Sequence, residues 1–329
     1  MAGGDAMSRY ARQVPVIGAA AQARLAAARV LVVGAGGLAA PVLQYLVGAG
    51  VGHIRLVDPD RAELSNLHRQ TLFRMTDLGQ PKAEAAATQL AGLNPECLIE
   101  AVVHALDPAN VAALCDGVTL VLDCADSFAA SYTLSDHCAA LGLPLISASV
   151  TGTAGYVGGF CGGAPSLRAL FPDLPARAGS CAEVGVLGPM VGLLGSLQAQ
   201  MALAVLAGIQ PSPLGQLITA DGLRLGGFRF DAAPEPDWCP RFIAVSAITA
   251  QDFTVDLRAA DEAPLIRPDA QRLSATAFGP GGPIPRPGQR AVLCCRSGLR
   301  AFAAAERLHA VWDGPIALVA VGDPEGDLK

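Results

Sequence analysis

Short apolar runs rich in β-branched residues alternate with longer, alanine-rich runs through the first half of the chain. This alternation is typical of parallel strands joined by crossover helices. It predicts an α/β fold with a doubly wound, mostly parallel, Rossmann-like sheet. The predicted strands are Val30–Val33, Ile54–Val57, Leu98–Val103, Val118–Asp123 and Leu145–Val150, and the predicted helices are Leu38–Val47, Lys82–Leu90, Ala109–Leu114 and Ala129–Leu141.

The pattern changes after Gly152, where a strand-like segment leads into a long loop that ends near Glu183. A hairpin with its turn across Asp221-Gly222 follows, then a Pro-rich acidic segment, then a region with strands of its own. We therefore predict a large domain at residues 1–230, a linker at 231–247 and a small α/β domain at 248–329. The strands predicted in this half are Tyr156–Phe160, Leu217–Ala220, Leu223–Phe230, Phe253–Leu257, Ala291–Cys294 and Ile316–Val321.

The apolar stretch Gly185–Gly208 has the length of a membrane span. Gln198 and Gln200 interrupt it, and it lacks the basic flanks that orient membrane helices. We predict a helix buried in the protein and no membrane association.

Composition narrows the class of protein. A chain of 329 residues that is 52% hydrophobic and 16% charged can fill two cores, which excludes a disordered protein. Its net charge of −6 and lack of basic runs argue against nucleic-acid binding, which depends on clustered Lys and Arg. Nine scattered cysteines and an amino terminus without a signal-peptide pattern indicate a reducing, cytoplasmic location.

A glycine-rich turn at Gly34, Gly36 and Gly37 follows the first strand and precedes a helix. Such turns let the backbone approach a phosphate while the helix N-terminus donates N–H groups. Asp58 ends the next strand, where a carboxylate can accept hydrogen bonds from a ribose. These two features alone fit a nicotinamide dehydrogenase equally well, and the turn without any ligand is the third interpretation.

A polar cluster after the second strand has no use in a dinucleotide site. Asp60 leads into Ser65-Asn66-Leu67-His68-Arg69-Gln70 and then Gly79-Gln80-Pro81-Lys82. Arg69 and Lys82 can both bind phosphates, Arg as a planar fork and Lys as a point charge. Taken singly, each could instead be a solvated surface cation.

With these motifs in order, the segment from Arg9 to Phe230 resembles the MoeB/ThiF family, relatives of ubiquitin-activating enzymes. Arg9-Tyr10-Ala11-Arg12-Gln13 is similar to the family's amino-terminal signature. The resemblance implies that Arg12 reaches the nucleotide of the partner subunit in a homodimer. The alternative is an ordinary arginine on a helix surface.

The resemblance implies that the protein uses ATP and Mg²⁺ to adenylate the C-terminal glycine carboxylate of a ubiquitin-like sulfur-carrier protein, in molybdopterin or thiamine synthesis. It implies catalytic roles for Arg12, Arg69, Lys82 and Asp126. Asp126 would lie near the magnesium; its alternative role is a helix N-cap. The implied nucleotide-binding residues are Gly34, Gly36, Gly37, Asp58, Asp60, Ser65, Asn66, Arg69, Gln70, Lys82, Asp126 and Ser127. The chain departs from the family at Ser127 and Ser131, where Asn and Arg are usual.

Cys181 lies at the end of the long loop and resembles the family's loop cysteine, which can form a thioester or acyl disulfide with the carrier. A nearby helix N-terminus and Arg177 favour its thiolate, whereas a lone cysteine is more often a buried apolar residue. The family also binds a structural zinc through two Cys-x-x-Cys pairs. Here the four positions are Ser166, Ala169, Cys239 and Phe242, and one thiolate cannot hold zinc. We predict no zinc and looser packing of this loop.

The segment Cys295-Arg296-Ser297-Gly298-Leu299-Arg300 resembles a rhodanese active-site loop. The resemblance implies that Cys295 carries a persulfide cradled by backbone N–H groups, with Arg296 and Arg300 favouring its anion. Asp256-Leu257-Arg258 loosely matches an early strand motif of that domain. Because the segment is short for a rhodanese domain, a vestigial domain is the alternative.

Three functions follow from these observations. The first is a sulfur-carrier adenylyltransferase with an appended sulfurtransferase domain, whose partners are the carrier, a second copy of the chain and a cysteine desulfurase. The second is an NAD-dependent oxidoreductase, which leaves Lys82 unexplained. The third is a degenerate relative that binds a carrier or nucleotide as a scaffold, suggested by Ser127, Ser131 and the absent zinc ligands.

Overall fold

The computed structural model describes residues 9–174 and 185–322. Within these ranges the strands form an eight-stranded and a five-stranded sheet. The strands of the large sheet are β1 Arg29–Val33, β2 His53–Val57, β3 Leu98–Val102, β4 Leu120–Asp123, β5 Leu145–Thr151, β6 Ala154–Phe160, β7 Gln216–Asp221 and β8 Arg224–Arg229. Those of the small sheet are β9 Arg241–Phe242, β10 Phe253–Asp256, β11 Gln271–Arg272, β12 Ala291–Cys295 and β13 Ile316–Ala320.

Helices connect the parallel strands as the alternating pattern predicts. Short 3-10 helices at residues 64–66, 75–77, 245–247 and 275–277 supplement them. The α-helices are α1 Val14–Ile17, α2 Ala19–Ala27, α3 Ala39–Gly48, α4 Lys82–Ala91, α5 Val111–Cys115, α6 Phe128–Leu141, α7 Leu167–Leu170, α8 Gly188–Ala207 and α9 Leu299–His309.

The large sheet has the order β3-β2-β1-β4-β5-β6-β7-β8. Strands β1 to β5 are parallel, and β6 to β8 run antiparallel to their neighbours. The doubly wound, mostly parallel α/β fold is therefore confirmed. The hairpin pairs Asp221 with Arg224, so its turn is Gly222-Leu223, one residue later than predicted. Gly222 takes a positive φ of 58° there, which glycine adopts without strain.

Helices cover both faces of the large sheet, so its central strands are apolar on both sides. Val30 and Val32 of β1 face the core formed with α3, α4 and α8. Leu31 and Val33 face the opposite core, to which α5 and α6 contribute. Period-2 alternation of side chains places successive residues on opposite faces, and burial on both faces explains the uninterrupted apolar run.

The small sheet is parallel throughout, with the order β11-β10-β12-β13-β9. Its first strand, β9, lies inside the segment predicted as a linker. Two residues are too few to show a strand pattern in the sequence, so tertiary packing decides their conformation. Phe242 lies against Gly298, where an added Cβ would be 2.6 Å from the Phe242 ring. Phe242 also belongs to the apolar cluster that contains Tyr132 of α6. The two sheets therefore share a core.

Helix α8 begins at Gly188 and ends at the left-handed Gly208. By length and composition it is a helix that could cross a membrane. Its buried residues pack against α2, α3 and β5, as the prediction of a buried helix requires. Gln198 lies on this packed side and is fully buried.

Candidate nucleotide site and thiol loop

Adjacent parallel strands bring three separate chain segments to one edge of the large sheet. Strands β2, β1 and β4 are neighbours, and the glycine turn, Asp58 and the segment 123–126 follow their carboxyl ends. Open α/β sheets bind ligands at this edge.

The glycine turn is packed too closely for side chains. Gly34 has φ 92°, and an added Cβ would lie 2.6 Å from the carbonyl oxygen of Cys124. A Cβ at Gly37 would lie 2.6 Å from Val191 of α8. Helix α3 starts directly after the turn, and its N-cap Leu38 makes no side-chain capping bond. The N–H of Ala40 donates to the carbonyl of Gly36 at 3.1 Å and Pro41 has no N–H, so the turn and the first residue of α3 are what can offer N–H groups to an anion.

Asp58 holds the backbone of the glycine turn through hydrogen bonds. It is 6% exposed, and its two oxygens accept hydrogen bonds from the backbone N–H of Ala35 at 2.6 Å and of Asp60 at 2.8 Å. Burial raises its pKa above the ordinary value, and the charge of Lys82 opposes that shift. Asp58 thus holds the backbone of the turn, whereas Asp60 is the exposed carboxylate beside it.

Lys82 is a buried cation, unlike the solvated surface lysine considered as its alternative. Its Nζ lies 2.7 Å from Asp60 Oδ2, and its side chain is 8% exposed. The residue begins α4, so the helix positions it toward the edge of the sheet. A lysine buried to this degree requires anionic partners, which Asp60 and Asp58 supply.

The segment from Ser65 to Gln70 lies alongside the glycine turn. Arg69 Nη1 donates to the carbonyl of Ser65 at 3.1 Å and lies 2.8 Å from His68 Nε2. Asn66 is buried and caps its own short helix by accepting the N–H of Glu63 at 3.3 Å.

Gln70 is also buried, and its Nε2 lies 3.7 Å from the Cβ position of Gly36. Its Oε1 has no hydrogen-bond partner among the described residues. A buried acceptor without a partner costs free energy unless a ligand or water satisfies it. Gln70 therefore fits a ligand bound at the turn.

Strand β4 ends in Asp123, which is fully buried. Ser147 Oγ donates to Asp123 Oδ2 at 2.7 Å, and the backbone N–H of Ala125 donates to Oδ1 at 3.2 Å. Burial raises the pKa of Asp123 to about 6, and these hydrogen bonds offset part of the rise. The sequence analysis did not single out Asp123; its position at a strand end, before Asp126, was the available signal.

Asp126 is exposed at the end of this segment. The N-cap of α6 is Ser127, whose Oγ accepts the N–H of Ala130 at 3.5 Å, so Asp126 does not serve as the cap. Ser131 Oγ donates back to the carbonyl of Ser127 at 3.3 Å and also hydrogen-bonds Asp123. Asp126 therefore remains available to a ligand at the edge.

Arg12 is exposed at the opposite edge of the sheet. On either side of it, Tyr10 accepts from Asn94 at 3.0 Å, and Gln13 Nε2 donates to the carbonyl of Ala49 at 2.9 Å. Ala49 follows α3 and precedes β2, which places it at the amino end of the strands. Five residues of strand, roughly 16 Å, separate this edge from the glycine turn.

Hydrogen bonds hold Ser166, one of the four positions that correspond to zinc ligands, and the nearby Arg168. Ser166 Oγ donates to Glu235 Oε2 at 2.6 Å, and its backbone N–H donates to Oε1 at 2.7 Å. Arg168 pairs with Asp136 at 2.6 Å and donates to the carbonyl of Pro240 at 3.4 Å. We call Ser166, Arg168, Asp136 and Glu235 the polar clasp.

The polar clasp joins α7 to the segment before β9, and the looser packing of the loop stays a prediction, since residues 175–184 lie outside the described residues. Within residues 9–174 and 185–322, no group of three or more His, Cys, Asp or Glu side chains could hold a metal ion.

Cys295 lies at the carboxyl end of β12 and is fully buried. Its Sγ accepts hydrogen bonds from the backbone N–H of Gly298 at 3.1 Å and of Ala301 at 3.4 Å, at the start of α9. Arg300 hydrogen-bonds this sulfur and forms an ion pair with Glu262. The loop therefore has the cradle of N–H groups that a sulfur anion requires. Cys181 and Arg177 lie outside the described residues.

Comparison with known proteins identifies the family of the chain. The fold is that of an α/β protein whose sheet edge at β2, β1 and β4 carries the candidate nucleotide site. The model of the ThiF family matches residues 10–241. The chain belongs to the ThiF family.

Two curated relatives are similar in sequence. The "adenylyltransferase and sulfurtransferase UBA4" of Yarrowia lipolytica is 42% identical over 206 residues, 61% of this chain and 52% of the relative. The "sulfur carrier protein adenylyltransferase" of Thermus thermophilus is 42% identical over 229 residues, 67% of this chain and 84% of the relative. The match thus spans about half of the fungal relative and most of the bacterial one.

Among solved structures, E. coli MccB bound to MccA-N7isoASN has a TM-score of 0.62 at 20% identity, covering 69% of this chain and 73% of that one. At this identity the similarity establishes the fold alone.

Proposed function

We propose that this protein uses ATP to adenylate the C-terminal glycine carboxylate of a ubiquitin-like sulfur-carrier protein. The observation that carries the proposal is the convergence, at one sheet edge, of a glycine turn, a buried Lys82 and an exposed Asp126. The two relatives are named for adenylyltransferase activity, one of them on a sulfur-carrier protein, which supports the proposal. A nicotinamide oxidoreductase has no use for a buried lysine–aspartate pair at this edge.

The reaction joins a carboxylate oxygen of the carrier to the α-phosphorus of ATP, while the bond to the β-phosphate oxygen breaks and pyrophosphate leaves. No protein nucleophile is required, so catalysis depends on positioning and charge stabilisation. Backbone N–H groups at the start of α3 hold the phosphates, and Lys82 and Arg69 stabilise the charge that develops on them. Asp60 and Gln70 hold the nucleoside side of the ligand.

Mg²⁺ fits this site through Asp126, since magnesium sites in proteins often combine one or two carboxylates with the phosphates of the substrate. When bound, the ion neutralises charge on the triphosphate. Asp126 orients the phosphates relative to the glycine turn.

A homodimer completes the site in this proposal. In it, Arg12, which lies toward the amino end of the strands, acts on the nucleotide of a neighbouring subunit rather than at its own glycine turn, which follows the carboxyl end of β1. Val16, on the short helix that follows Arg12, is 83% exposed and supplies apolar surface for such a contact.

The dimer is tested by mixing Arg12→Ala and Asp126→Ala subunits, each inactive alone. Recovery of activity on mixing supports a site shared between subunits, because each mixed dimer then has one intact site. Mixtures as inactive as their components would contradict it.

In the small domain, Cys295 receives sulfur from the persulfide of a cysteine desulfurase. The Cys295 thiolate attacks the terminal sulfur, a new S–S bond forms, and the desulfurase thiolate leaves. The N–H groups of Gly298 and Ala301 and the guanidinium of Arg300 then stabilise the terminal sulfur anion. The terminal sulfur of the persulfide then attacks the carbonyl carbon of the adenylated carrier, the bond to the phosphate oxygen breaks, AMP leaves, and the carrier is joined to Cys295 as an acyl disulfide.

The adenylation proposal is tested by carrier-dependent ATP–pyrophosphate exchange, with a panel of carriers that end in Gly-Gly. Asp126→Ala should lower exchange by at least about 100-fold. Asp116→Ala is the matched control, because Asp116 is an exposed aspartate before the other end of β4. Exchange with one carrier names the substrate. If no carrier supports exchange while ATP still binds, the scaffold function is favoured instead. The observation that favours that alternative is Ser131, which stands where the family usually has an arginine.

A further inference from the structure

Gln198 is a fully buried amide in the middle of the apolar helix α8. Its Nε2 donates to the carbonyl oxygens of Asp123 at 2.7 Å and Ile146 at 3.0 Å. Its Oε1 accepts from the thiol of Cys124 at 3.4 Å. Both amide protons and the carbonyl oxygen therefore have partners: the last residue of β4, the residue after it, and the second residue of β5.

These bonds hold the end of β4, from which the chain continues to the candidate site. Strand β4 ends at Asp123, and the chain reaches Asp126 three residues later. The carbonyl of Asp123, which is the last of the strand, accepts from α8 through Gln198. Helix α8 thus fixes the base of the segment 123–126.

The same segment contacts the glycine turn. The carbonyl oxygen of Cys124 lies 2.6 Å from the position that a Cβ of Gly34 would occupy, so the two backbones are in direct contact. The N–H of Cys124 donates to the carbonyl of Val33 at 2.8 Å, immediately before the turn. A shift of Cys124 would therefore move Asp126 relative to the phosphate-binding turn.

We infer that Gln198 is a positioning residue for adenylation, which holds the segment 123–126 in register with the glycine turn and so places Asp126 at the nucleotide. This inference rests on the proposed function. Gln198 does not touch the nucleotide and acts through the backbone of Asp123 and Cys124. A misplacement of a catalytic group by a fraction of an ångström is sufficient to slow a reaction that depends on positioning.

The test compares Gln198→Met, which preserves length and removes the hydrogen bonds, with Gln200→Met, an exposed position on the same helix. Gln198→Met should lower kcat of carrier-dependent exchange by about tenfold or more, while KM for ATP changes less than about threefold. Gln200→Met should match the wild type. A folded Gln198→Met protein with wild-type kcat overturns the inference.

A double variant separates positioning from general damage. If Gln198 acts through Asp126, then Gln198→Met/Asp126→Ala is no slower than Asp126→Ala alone. If the fold-losses in kcat of the two single variants instead multiply in the double variant, positioning through Asp126 is contradicted. Amide hydrogen exchange at residues 123–126 gives a readout without activity, and it should be faster in Gln198→Met than in Gln200→Met. If the wild type itself shows no pyrophosphate exchange, the proposed function fails, and unchanged amide exchange would independently overturn the anchoring role of Gln198.

Discussion

Two buried aspartates each end a strand in one of the two sheets, and their pKa values are shifted in opposite directions. Asp123 ends β4 of the large sheet, Asp256 ends β10 of the small sheet, and both are fully buried. Asp123 has only neutral hydrogen-bond donors, and burial raises its pKa to about 6. Burial also acts to raise the pKa of Asp256, but hydrogen bonds from Arg258 and from the backbone bring it below the ordinary value.

The difference is that one buried carboxylate has a cation beside it and the other has none. At Asp256 the small sheet pairs its buried charge with a cation in the same strand-end segment, so the ion pair stabilises the fold locally. At Asp123 the large sheet leaves a buried carboxylate without a cation, and the nearby Asp126 is exposed beside it. Buried groups with shifted pKa values cluster where proteins bind ligands and catalyse reactions. The buried carboxylate without a cation therefore lies at the candidate nucleotide site.

The largest expected effect separates the chemistry of the two sheets. Cys295→Ser should abolish sulfur transfer, at least about 100-fold, because the reacting atom is removed, and leave pyrophosphate exchange unchanged. Cys294→Ser is the matched control, since the neighbouring thiol packs in a different apolar cluster. Sulfur transfer to cyanide and carrier-dependent exchange are measured on the same preparations. Equal loss in both variants would show that the thiol loop has no special role.

The next effect concerns the glycine turn. Gly34→Ala forces a side chain into a positive-φ position and against the Cys124 carbonyl, so ATP binding should weaken by at least about tenfold and stability should fall by about 1–3 kcal/mol. Gly92→Ala is the control, because Gly92 has φ −70° and a Cβ there would contact nothing nearer than 3.5 Å. Titration calorimetry and thermal denaturation measure the two effects. Wild-type ATP affinity in Gly34→Ala would contradict the assignment of the turn.

The comparison between Asp123 and Asp256 predicts pH profiles of opposite sign. The folded pKa of Asp123, about 6, exceeds the unfolded value of 3.8, so its proton is held more tightly in the folded state between these values. Stability therefore falls as pH rises through this window, by at most about 1.4 kcal/mol per pH unit. Asp123→Asn should be more stable than the wild type at pH 7.5, with the difference shrinking toward pH 4.

Asp256→Asn provides the opposite case. Its folded pKa is lowered, so the charged carboxylate stabilises the fold above the unfolded pKa, and this stability is lost as pH falls through the folded pKa. Asp256→Asn should therefore be less stable than the wild type at pH 7.5. Urea denaturation from pH 4 to 8 measures both variants. The same sign of change in both would contradict the comparison.

Much of this architecture follows from local pattern, and most exceptions are very short elements. The helix α2, Ala19–Ala27, was also not predicted, although it is rich in alanine. The five parallel strands of the large sheet were predicted within two residues at each end. Burial on both faces makes β1 and β4 continuous apolar runs, whereas the edge strand β3 is only partly buried. Strands β9 and β11, of two residues each, and the short helix α7 were missed, since tertiary contacts rather than local preference form them.

In the candidate site, too, some residues could be predicted from the sequence and others could not. Gly34, Lys82 and Asp126 stand in motifs that the sequence displays directly. Asp58 was expected to bind ribose, and the structure places it beneath the turn, bonded to two backbone N–H groups. The difference between Asp58 and Asp60 depends on how the strand end turns, which residue type alone does not determine.

The smallest expected effect concerns the polar clasp. Ser166→Ala removes one hydrogen bond to Glu235 and the cap of α7, which should lower stability by about 1–2 kcal/mol. Ser274→Ala is the control, because Ser274 is exposed and provides no side-chain cap. Thermal denaturation is measured with and without a metal chelator. A chelator that lowers the wild-type Tm as far as the substitution does would indicate a metal in place of the clasp.

The most direct test of the central claim is the mass of a sulfur carrier after incubation with ATP, magnesium and this protein. The account predicts a carrier heavier by one adenylyl group at its C-terminal glycine, formed by the wild type and by Cys295→Ser but not by Asp126→Ala. An unmodified carrier under conditions in which ATP and carrier both bind, or an adduct formed equally well by Asp126→Ala, would contradict it.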